Sequence, residues 1–86
     1  MSDRIEGIAV ITGAGSGIGR ATARLLHSRG AQIVAADRDA DGLASLGAEI
    51  ALAAEVVCDV SDPDTPDRLT TAVAETGAPW QVLVNN

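Results

Sequence analysis

The 86-residue sequence contains no lysine, no phenylalanine and no tyrosine, and it has one tryptophan, one cysteine and one histidine. All six cationic side chains are arginines, and the net charge is −6 at pH 7. Nucleic-acid binding depends on basic clusters and on aromatic rings that stack on bases, so this composition predicts no nucleic-acid partner. The single cysteine, Cys58, cannot form an internal disulfide, which is typical of a protein from the reducing cytoplasm.

The hydrophobic segments of the sequence are short. No hydrophobic run approaches the roughly 20 residues that a membrane-spanning helix needs. The polar start Met1-Ser2-Asp3-Arg4 lacks the apolar stretch of a signal peptide. We therefore expect no membrane association and a cytoplasmic location. With 86 residues, 47% of them hydrophobic, the chain has enough material for one small domain.

Four short hydrophobic runs, each bounded by glycine or polar residues, have the pattern of buried β-strands. They cover residues 8–12, 32–36, 55–58 and 82–85. Longer amphipathic segments separate them, and this alternation is typical of a parallel sheet. The sequence therefore predicts an α/β fold, the first half (β-α-β-α-β-α-β) of a Rossmann-type doubly wound sheet. Because nothing follows the very hydrophobic fourth strand to cover or pair it, we expect a truncated domain.

Three helices are predicted from hydrophobic residues at helical spacing and from capping residues. The first runs from Ile18 to about Arg29, and the third begins at Ser61-Asp62-Pro63-Asp64 and ends at Gly77. The predicted inward-facing residues are Ile18, Ala21, Leu25 and Leu26 in the first helix, Leu43, Leu46 and Ile50 in the second, and Leu69 and Val73 in the third. The acidic residues at the start of the third helix are explained by capping and solvation, so we expect no metal site.

The segment between the first strand and the first helix is rich in glycine and reads Thr12-Gly13-Ala14-Gly15-Ser16-Gly17-Ile18-Gly19. A strand that leads through such a turn into a helix directs free backbone N–H groups and the positive end of the helix dipole to one place, which binds phosphate. Glycines are needed there because a side chain would collide with a pyrophosphate or with the strand beneath the helix. The spacing T-G-x-x-x-G-x-G differs from G-x-G-x-x-G, and a P-loop is excluded because the sequence has no lysine.

An acidic residue, Asp37, ends the second strand, where its carboxylate can accept hydrogen bonds from both hydroxyls of an adenosine ribose. A 2′-phosphate in that place would meet a like charge, so the sequence favours NAD over NADP. Arg38 has three alternative roles: pairing with a 2′-phosphate, stacking on adenine, or solvation in a loop. Ser16 supports the NAD assignment because it offers no cationic anchor for a 2′-phosphate.

Taken in order along the chain, these residues resemble the short-chain dehydrogenase/reductase family, of the type with a T-G-x-x-x-G-x-G turn. Residues 12–19 match the cofactor turn of that family, and Asp37 matches the acid that marks NAD preference. Cys58-Asp59-Val60-Ser61-Asp62 resembles the family's D-V segment, and Leu83-Val84-Asn85-Asn86 resembles the beginning of its N-N-A-G motif. Trp80-Gln81 departs from the small or acidic residues that are usual before the fourth strand.

The resemblance implies that residues 1–86 form the amino-terminal part of a single NAD-binding Rossmann domain. It also implies that Asp59 and its backbone neighbours contact adenine, that Asn85 supports the strand, and that Asn86 lies beside the adenosine ribose. The predicted cofactor-binding residues are Gly13, Ser16, Gly17, Ile18, Gly19, Asp37, Arg38, Asp59, Val60 and Asn86.

The parent protein implied by the resemblance is an NAD(P)-dependent oxidoreductase and a homo-oligomer. It would transfer hydride between NAD(H) and a small alcohol or carbonyl substrate. The family's catalytic Ser, its Tyr-x-x-x-Lys pair and its supporting Asn all lie downstream of this segment. We therefore expect the segment to contain no catalytic residue and to be inactive alone.

Two alternative functions are compatible with the same residues. One is a non-catalytic dinucleotide-binding module whose sheet is completed by a partner chain at the fourth strand. The other is an S-adenosylmethionine methyltransferase, whose glycine pattern is satisfied by Gly13-x-Gly15-x-Gly17. Against the second alternative, Ile11 and Thr12 occupy the place where that class normally has an acid.

Overall fold

The computed structural model describes residues 4–84, which form one parallel sheet flanked by helices. The elements in chain order are β1 (Ile8–Thr12), α1 (Gly17–Ser28), β2 (Gln32–Asp37), α2 (Ala40–Glu49), β3 (Ala54–Val57), α3 (Thr65–Thr76) and β4 (Trp80–Val84). The strand order in the sheet is β3-β2-β1-β4, and all three strand pairs are parallel. The predicted Rossmann-type α/β architecture is therefore confirmed.

Helices cover both faces of the sheet, and the alternation of side chains along β1 supplies a core on each. Ala9 and Ile11 pack with residues of α1 and α2, whereas Ile8 and Val10 pack with residues of α3. All five residues of β1 are buried, which explains why this strand reads as a continuous hydrophobic run. Of the helices in residues 4–84, none is long and apolar enough to cross a membrane.

The predicted inward face of α1 is wrong at three of its four residues. Ile18 and Leu25 are 77% and 51% exposed, and Ala21 is exposed as well. Leu26 packs against the core as predicted, and the helix buries Gly19 and Ala23 in place of the other three. Small residues at helical spacing let the helix axis approach the sheet closely, so the contact face of α1 is made largely by its smallest side chains.

The predicted start of α3 at Ser61-Asp62-Pro63-Asp64 is also wrong, because those residues form turns and the helix begins at Thr65. The backbone N–H of Asp62 donates to the carbonyl of Asp59 (2.9 Å), and the carboxylate of Asp62 accepts from the N–H of Asp64 (2.9 Å). Asp62 therefore closes a local turn rather than capping the helix. A second proline, Pro66, occupies the first turn of the helix instead.

β1 has the predicted bounds, and the bounds of the other three strands differ from the prediction by one or two residues. β2 extends one residue further to include Asp37, β3 begins and ends one residue earlier, and β4 begins at Trp80. Cys58 follows β3 and is buried, as expected for a small hydrophobic side chain. The carboxyl ends of β1, β2 and β3 thus bring Gly13, Asp37 and Asp59 to one edge of the sheet, which is where open α/β sheets bind ligands.

Candidate dinucleotide-binding site

The glycine turn is fastened to the sheet at its centre. The backbone N–H of Ala14 donates to the carbonyl of Ala36 in β2 (3.1 Å), and the Ala14 side chain is fully buried. The turn then leads into α1 at Gly17, whose φ of +58° lies in the left-handed region. A Cβ atom at Gly17 would project into open space, with no heavy atom of residues 4–84 within 4 Å beyond its chain neighbours and its own helix. Backbone conformation and free space therefore both match a ligand cradle at this position.

The first turn of α1 has backbone N–H groups that are available to bind an anion. Ser16 is the N-cap residue, but its side chain caps no backbone N–H group, and the first turn contains no acidic residue. The first N–H groups of a helix have no acceptor within the helix, and the dipole adds positive potential there. At the amino-terminal end of α1, the side chain of Ile18 is exposed, whereas Gly19 is buried. The donor set therefore fits the pyrophosphate of a dinucleotide.

Asp37 lies directly against the glycine turn. Its Oδ2 accepts a hydrogen bond from the N–H of Gly15 (2.8 Å), and its Oδ1 accepts one from the N–H of Asp39 (3.0 Å). A Cβ atom at Gly15 would stand 2.8 Å from Oδ2 of Asp37, closer than real Cβ contacts allow. Gly15 is thus required for the approach of the carboxylate, a role that the T-G-x-x-x-G-x-G spacing does not reveal. Each carboxylate oxygen keeps a second lone pair for a ribose hydroxyl.

A cavity of about 170 Å³ adjoins Asp37 on the side of β3. It is lined by Gly13, Asp37, Arg38, Cys58, Asp59 and Val60. Five of these six residues are among those predicted from the sequence to bind the cofactor, and the fold brings them together from three strand ends. Val60 is 56% exposed, which leaves an apolar surface at the mouth of the cavity. A shallow cavity with an apolar wall and polar ends has the character of an adenine site.

Asp59 holds the loop after β3 in place. Its Oδ1 accepts hydrogen bonds from the backbone N–H of Ser61 (2.9 Å) and from the hydroxyl of Ser61 (2.7 Å). These two bonds, with a smaller contribution from the charge of Arg38, lower the pKa of Asp59 below its ordinary value. The carbonyl of Asp59 accepts a hydrogen bond from the buried hydroxyl of Thr65 (2.6 Å), which ties the loop to α3.

Four residues that join α1 to α2 were not predicted from the sequence, and two of them, Gly42 and Arg20, also contact the glycine turn. Gly42 packs directly on the glycine turn, because a Cβ at this position would lie 2.7 Å from the carbonyl oxygen of Gly15. Arg20 donates to the carbonyl oxygens of Gly42 (3.1 Å) and Gly15 (3.4 Å). Glu49 pairs with both Arg20 (2.7 Å) and Arg24 (2.6 Å). The spacing of Leu43 and Leu46 already predicted this helix. The position of Gly42 in its first turn is the feature of the sequence that could have identified it.

Two further predictions concern Asn86 and metal binding. Asn86, predicted to lie beside the adenosine ribose, is outside the described residues, as are Asn85 and the side chain of Trp80. Within residues 4–84, no group of three or more histidine, cysteine, aspartate or glutamate side chains is arranged to hold a metal ion.

The fold and the cradle together define a Rossmann-type nucleotide-binding protein. The family model for short chain dehydrogenases matches residues 7–86, and the chain therefore belongs to the short-chain dehydrogenase family of oxidoreductases. Relatives of this chain include the galactitol 2-dehydrogenase (L-tagatose-forming) of Cereibacter sphaeroides, which is 40% identical over 96% of this chain and 34% of its own.

Solved structures agree in fold. The 3-ketoacyl-(acyl-carrier-protein) reductase of Brucella melitensis, complexed with NADH, is 35% identical and has a TM-score of 0.78, covering 90% of this chain and 32% of its own. The L-sorbose reductase of Gluconobacter frateurii, complexed with NADPH and L-sorbose, is 37% identical and has a TM-score of 0.82, covering 100% of this chain and 35% of its own. The present chain spans about a third of the length of the relatives that it matches.

Proposed function

We propose that residues 1–86 form the amino-terminal part of a single NAD-binding Rossmann domain and hold the adenosine and pyrophosphate of the cofactor. The protein that contains them transfers hydride between NAD(H) and an alcohol or carbonyl carbon. The bound nicotinamide supplies the hydride chemistry; the residues of this chain bind and orient the other half of the dinucleotide. The observation that carries the proposal is the carboxylate of Asp37 at the end of β2, 2.8 Å from a backbone N–H of the glycine turn.

The roles of the individual residues follow from their places around that carboxylate. The pyrophosphate is bound by the backbone of the glycine turn and of the first turn of α1, at Gly13, Ser16, Gly17, Ile18 and Gly19. Asp37 accepts the ribose hydroxyls, and Arg38, Asp59 and Val60 border the adenine. Asn86 is assigned to the ribose by the resemblance alone.

NAD is the proposed cofactor in preference to NADP. The two solved relatives are complexed with NADH in one case and with NADPH in the other, so family membership does not decide between the two cofactors. The preference rests on Asp37, because a 2′-phosphate would place like charges close together in a partly dry crevice. Ser16 adds no positive charge to offset that repulsion.

The substrate assignment is limited to its chemical class. The names of two relatives, galactitol 2-dehydrogenase and L-sorbose reductase, support a small polar alcohol or its carbonyl counterpart. Residues 1–86 include no tyrosine and no lysine, and we assign no catalytic group to them. The lone cysteine supports a cytoplasmic location, and the family resemblance supports a homo-oligomer.

The test has two parts. The reading frame is first followed beyond Asn86 to its stop codon; continuation through Ala-Gly to a Tyr-x-x-x-Lys with an upstream serine supports the hydride-transfer proposal. A stop codon near Asn86 contradicts catalysis by this polypeptide and favours the binding module completed by a partner chain.

The affinities of the encoded protein for NAD, NADP, ADP-ribose and S-adenosylmethionine are then measured by calorimetry. Binding of NAD and ADP-ribose, with NADP weaker and S-adenosylmethionine not bound, is the expected result. Binding of S-adenosylmethionine in preference to NAD would overturn it.

A further inference from the structure

Arg20, in the first half of α1, is nearly enclosed between α1, α2 and the glycine turn. Its side chain is only 14% exposed, although it carries a full positive charge. One guanidinium nitrogen donates to the carbonyls of Gly42 and Gly15, and the other donates to the hydroxyl of Ser45 (2.9 Å) and the carboxylate of Glu49 (2.7 Å). An enclosed arginine needs such partners, because an unpaired charge is costly to remove from water.

The two carbonyls that Arg20 contacts belong to the glycine turn and to the first turn of α2, and these two backbone segments are in close contact. A Cβ at Gly42 would lie 2.7 Å from the carbonyl oxygen of Gly15 and 3.0 Å from its Cα. Two carbonyl oxygens that converge in a partly enclosed place repel each other unless a donor lies between them. The guanidinium of Arg20 is that donor, and it therefore stabilises the approach of the first turn of α2 to the glycine turn.

The backbone of Gly15 also holds the carboxylate of Asp37. The N–H of Gly15 donates to Asp37 Oδ2 (2.8 Å), while the carbonyl of Gly15 accepts from Arg20 (3.4 Å). The other carboxylate oxygen is held by the N–H of Asp39, the N-cap residue of α2. Both hydrogen bonds to Asp37 thus come from the two backbones that Arg20 joins.

We propose that Arg20 is a positioning residue for cofactor selection: it joins the glycine turn to α2 and thereby fixes the carboxylate of Asp37 toward the adenosine ribose. This inference rests on the proposed function. It assigns to Arg20 a part of the discrimination between NAD and NADP, although Arg20 itself touches neither the ribose nor the phosphate. Loss of Arg20 frees the carboxylate to turn, which weakens its bonds to the ribose and its repulsion of a 2′-phosphate.

Arg24 provides a matched control. It lies one helical turn further along α1 and donates to both oxygens of Glu49 (2.6 and 2.8 Å). Within the described part of the chain it contacts neither glycine carbonyl. Arg20→Met and Arg24→Met each remove one cation and one ion pair to the same carboxylate, but only Arg20→Met removes the contacts to Gly15 and Gly42.

The experiment measures dissociation constants for NAD and NADP with the full product of the reading frame. In Arg20→Met the ratio of NADP to NAD dissociation constants should fall about three- to tenfold, the range that one net hydrogen bond corresponds to. In Arg24→Met the ratio should stay as in the unmodified protein. An equal fall in affinity for both cofactors in Arg20→Met, or the same change of ratio in both variants, would overturn the proposal.

A conservative variant covers the case in which Arg20→Met does not fold. Arg20→Lys keeps the charge but has one ammonium group in place of a forked guanidinium, so it cannot span the glycine carbonyls and Glu49 together. Its ratio should lie between those of the unmodified protein and Arg20→Met; an unchanged ratio contradicts the proposal. If the unmodified protein binds neither cofactor, the proposed function itself fails, which separates that failure from a failure of the role of Arg20.

Discussion

The carboxylate of Asp37 and the backbone N–H of Gly15 are joined by a 2.8 Å hydrogen bond across 22 residues of sequence. This bond links the acid at the end of β2 to the glycine turn at the end of β1. The two parts of the proposed dinucleotide site are therefore one structural unit. A change at either residue should act on both stability and cofactor choice.

Substitution of Asp37 should reduce the preference for NAD over NADP. Asp37→Ala removes the acceptor for the ribose hydroxyls and the negative charge that repels a 2′-phosphate. We expect NAD affinity to fall about ten- to a hundredfold, as for loss of charge-assisted hydrogen bonds, and NADP affinity to fall much less. Calorimetric titration of both cofactors measures the change.

The control for net charge is Asp41→Ala. Asp41 is an exposed acid in the first turn of α2, so its loss removes one negative charge near the site without touching the turn. A ratio of affinities that is the same in Asp37→Ala as in the unmodified protein would refute the ribose role.

Two glycines in α2, Gly42 and Gly47, allow the effect of close packing on stability to be separated from the effect of helix propensity. In Gly42→Ala the new methyl group would meet backbone atoms of Gly15 at 2.7 and 3.0 Å. We expect a loss of about 1–3 kcal/mol in the free energy of unfolding, as for other overpacked sites, together with weaker NAD binding. Urea unfolding and NAD titration measure the two effects.

Gly47→Ala is the matched change in the same helix. Its nearest contacts would be at 3.5 Å, an ordinary van der Waals distance. Because alanine is the better helix former, this variant should gain about 0.5–1 kcal/mol of stability and bind NAD unchanged. Equal behaviour of the two variants would contradict the close contact between Gly42 and Gly15.

The parts of the site that were predictable from the sequence have strong local patterns. The glycine turn and Asp37 follow directly from the two strands that precede them, and each strand reads as an unbroken hydrophobic run. Asp59 and Val60 were identified through the resemblance, and the structure places both at the cavity beside Asp37. Because the strands are parallel, their carboxyl ends lie at one edge of the sheet, so the edge that carries these residues was predictable too.

The contacts between α1 and α2 were not predictable in the same way. Arg20 bonds to backbone carbonyls and to Glu49, which is 29 residues away, and no periodicity encodes a pairing of that kind. Gly42 reads in the sequence as a weak point of its helix, whereas its close approach to Gly15 requires glycine. The inward face of α1 was assigned to Ile18, Ala21, Leu25 and Leu26 from their helical spacing, and only Leu26 packs against the core. Tight helix–sheet packing favours Gly19 and Ala23 instead.

The buried hydroxyl of Thr65 should contribute to the adenine side of the site. It is 4% exposed and donates to the carbonyl of Asp59 (2.6 Å). Thr65→Val should lower the free energy of unfolding by about 1 kcal/mol, the usual net value of one hydrogen bond, and should weaken ADP-ribose binding by loosening the Asp59 loop. Thr70→Val is the control, because the exposed Thr70 hydroxyl bonds only to the carbonyl of Pro66 in its own helix. Equal losses of ADP-ribose affinity in both variants would contradict this role.

Glu49 should make the stability of the protein depend on acid. Hydrogen bonds from Arg24 and then from Arg20 lower the pKa of Glu49 from 4.5 to about 2. A carboxyl group with a lower pKa in the folded state contributes stability that is fully present above the unfolded value and is lost as the pH falls through the folded value. The contribution should therefore disappear between about pH 4.5 and pH 2. Because the Glu49 side chain is 41% exposed, solvent and salt weaken it.

The measurement compares melting temperatures of the unmodified protein and Glu49→Gln across that range. Other acids, including Asp59, titrate in both proteins, so the difference between the two curves isolates Glu49. We expect the unmodified protein to melt at the higher temperature near pH 6 and the curves to converge toward pH 2. Added salt at 1 M, where the screening length is about 3 Å, should narrow the gap near pH 6. A gap that stays constant with pH would show that it does not arise from the charge of Glu49, and the ion pairs to Arg20 and Arg24 would then contribute nothing measurable.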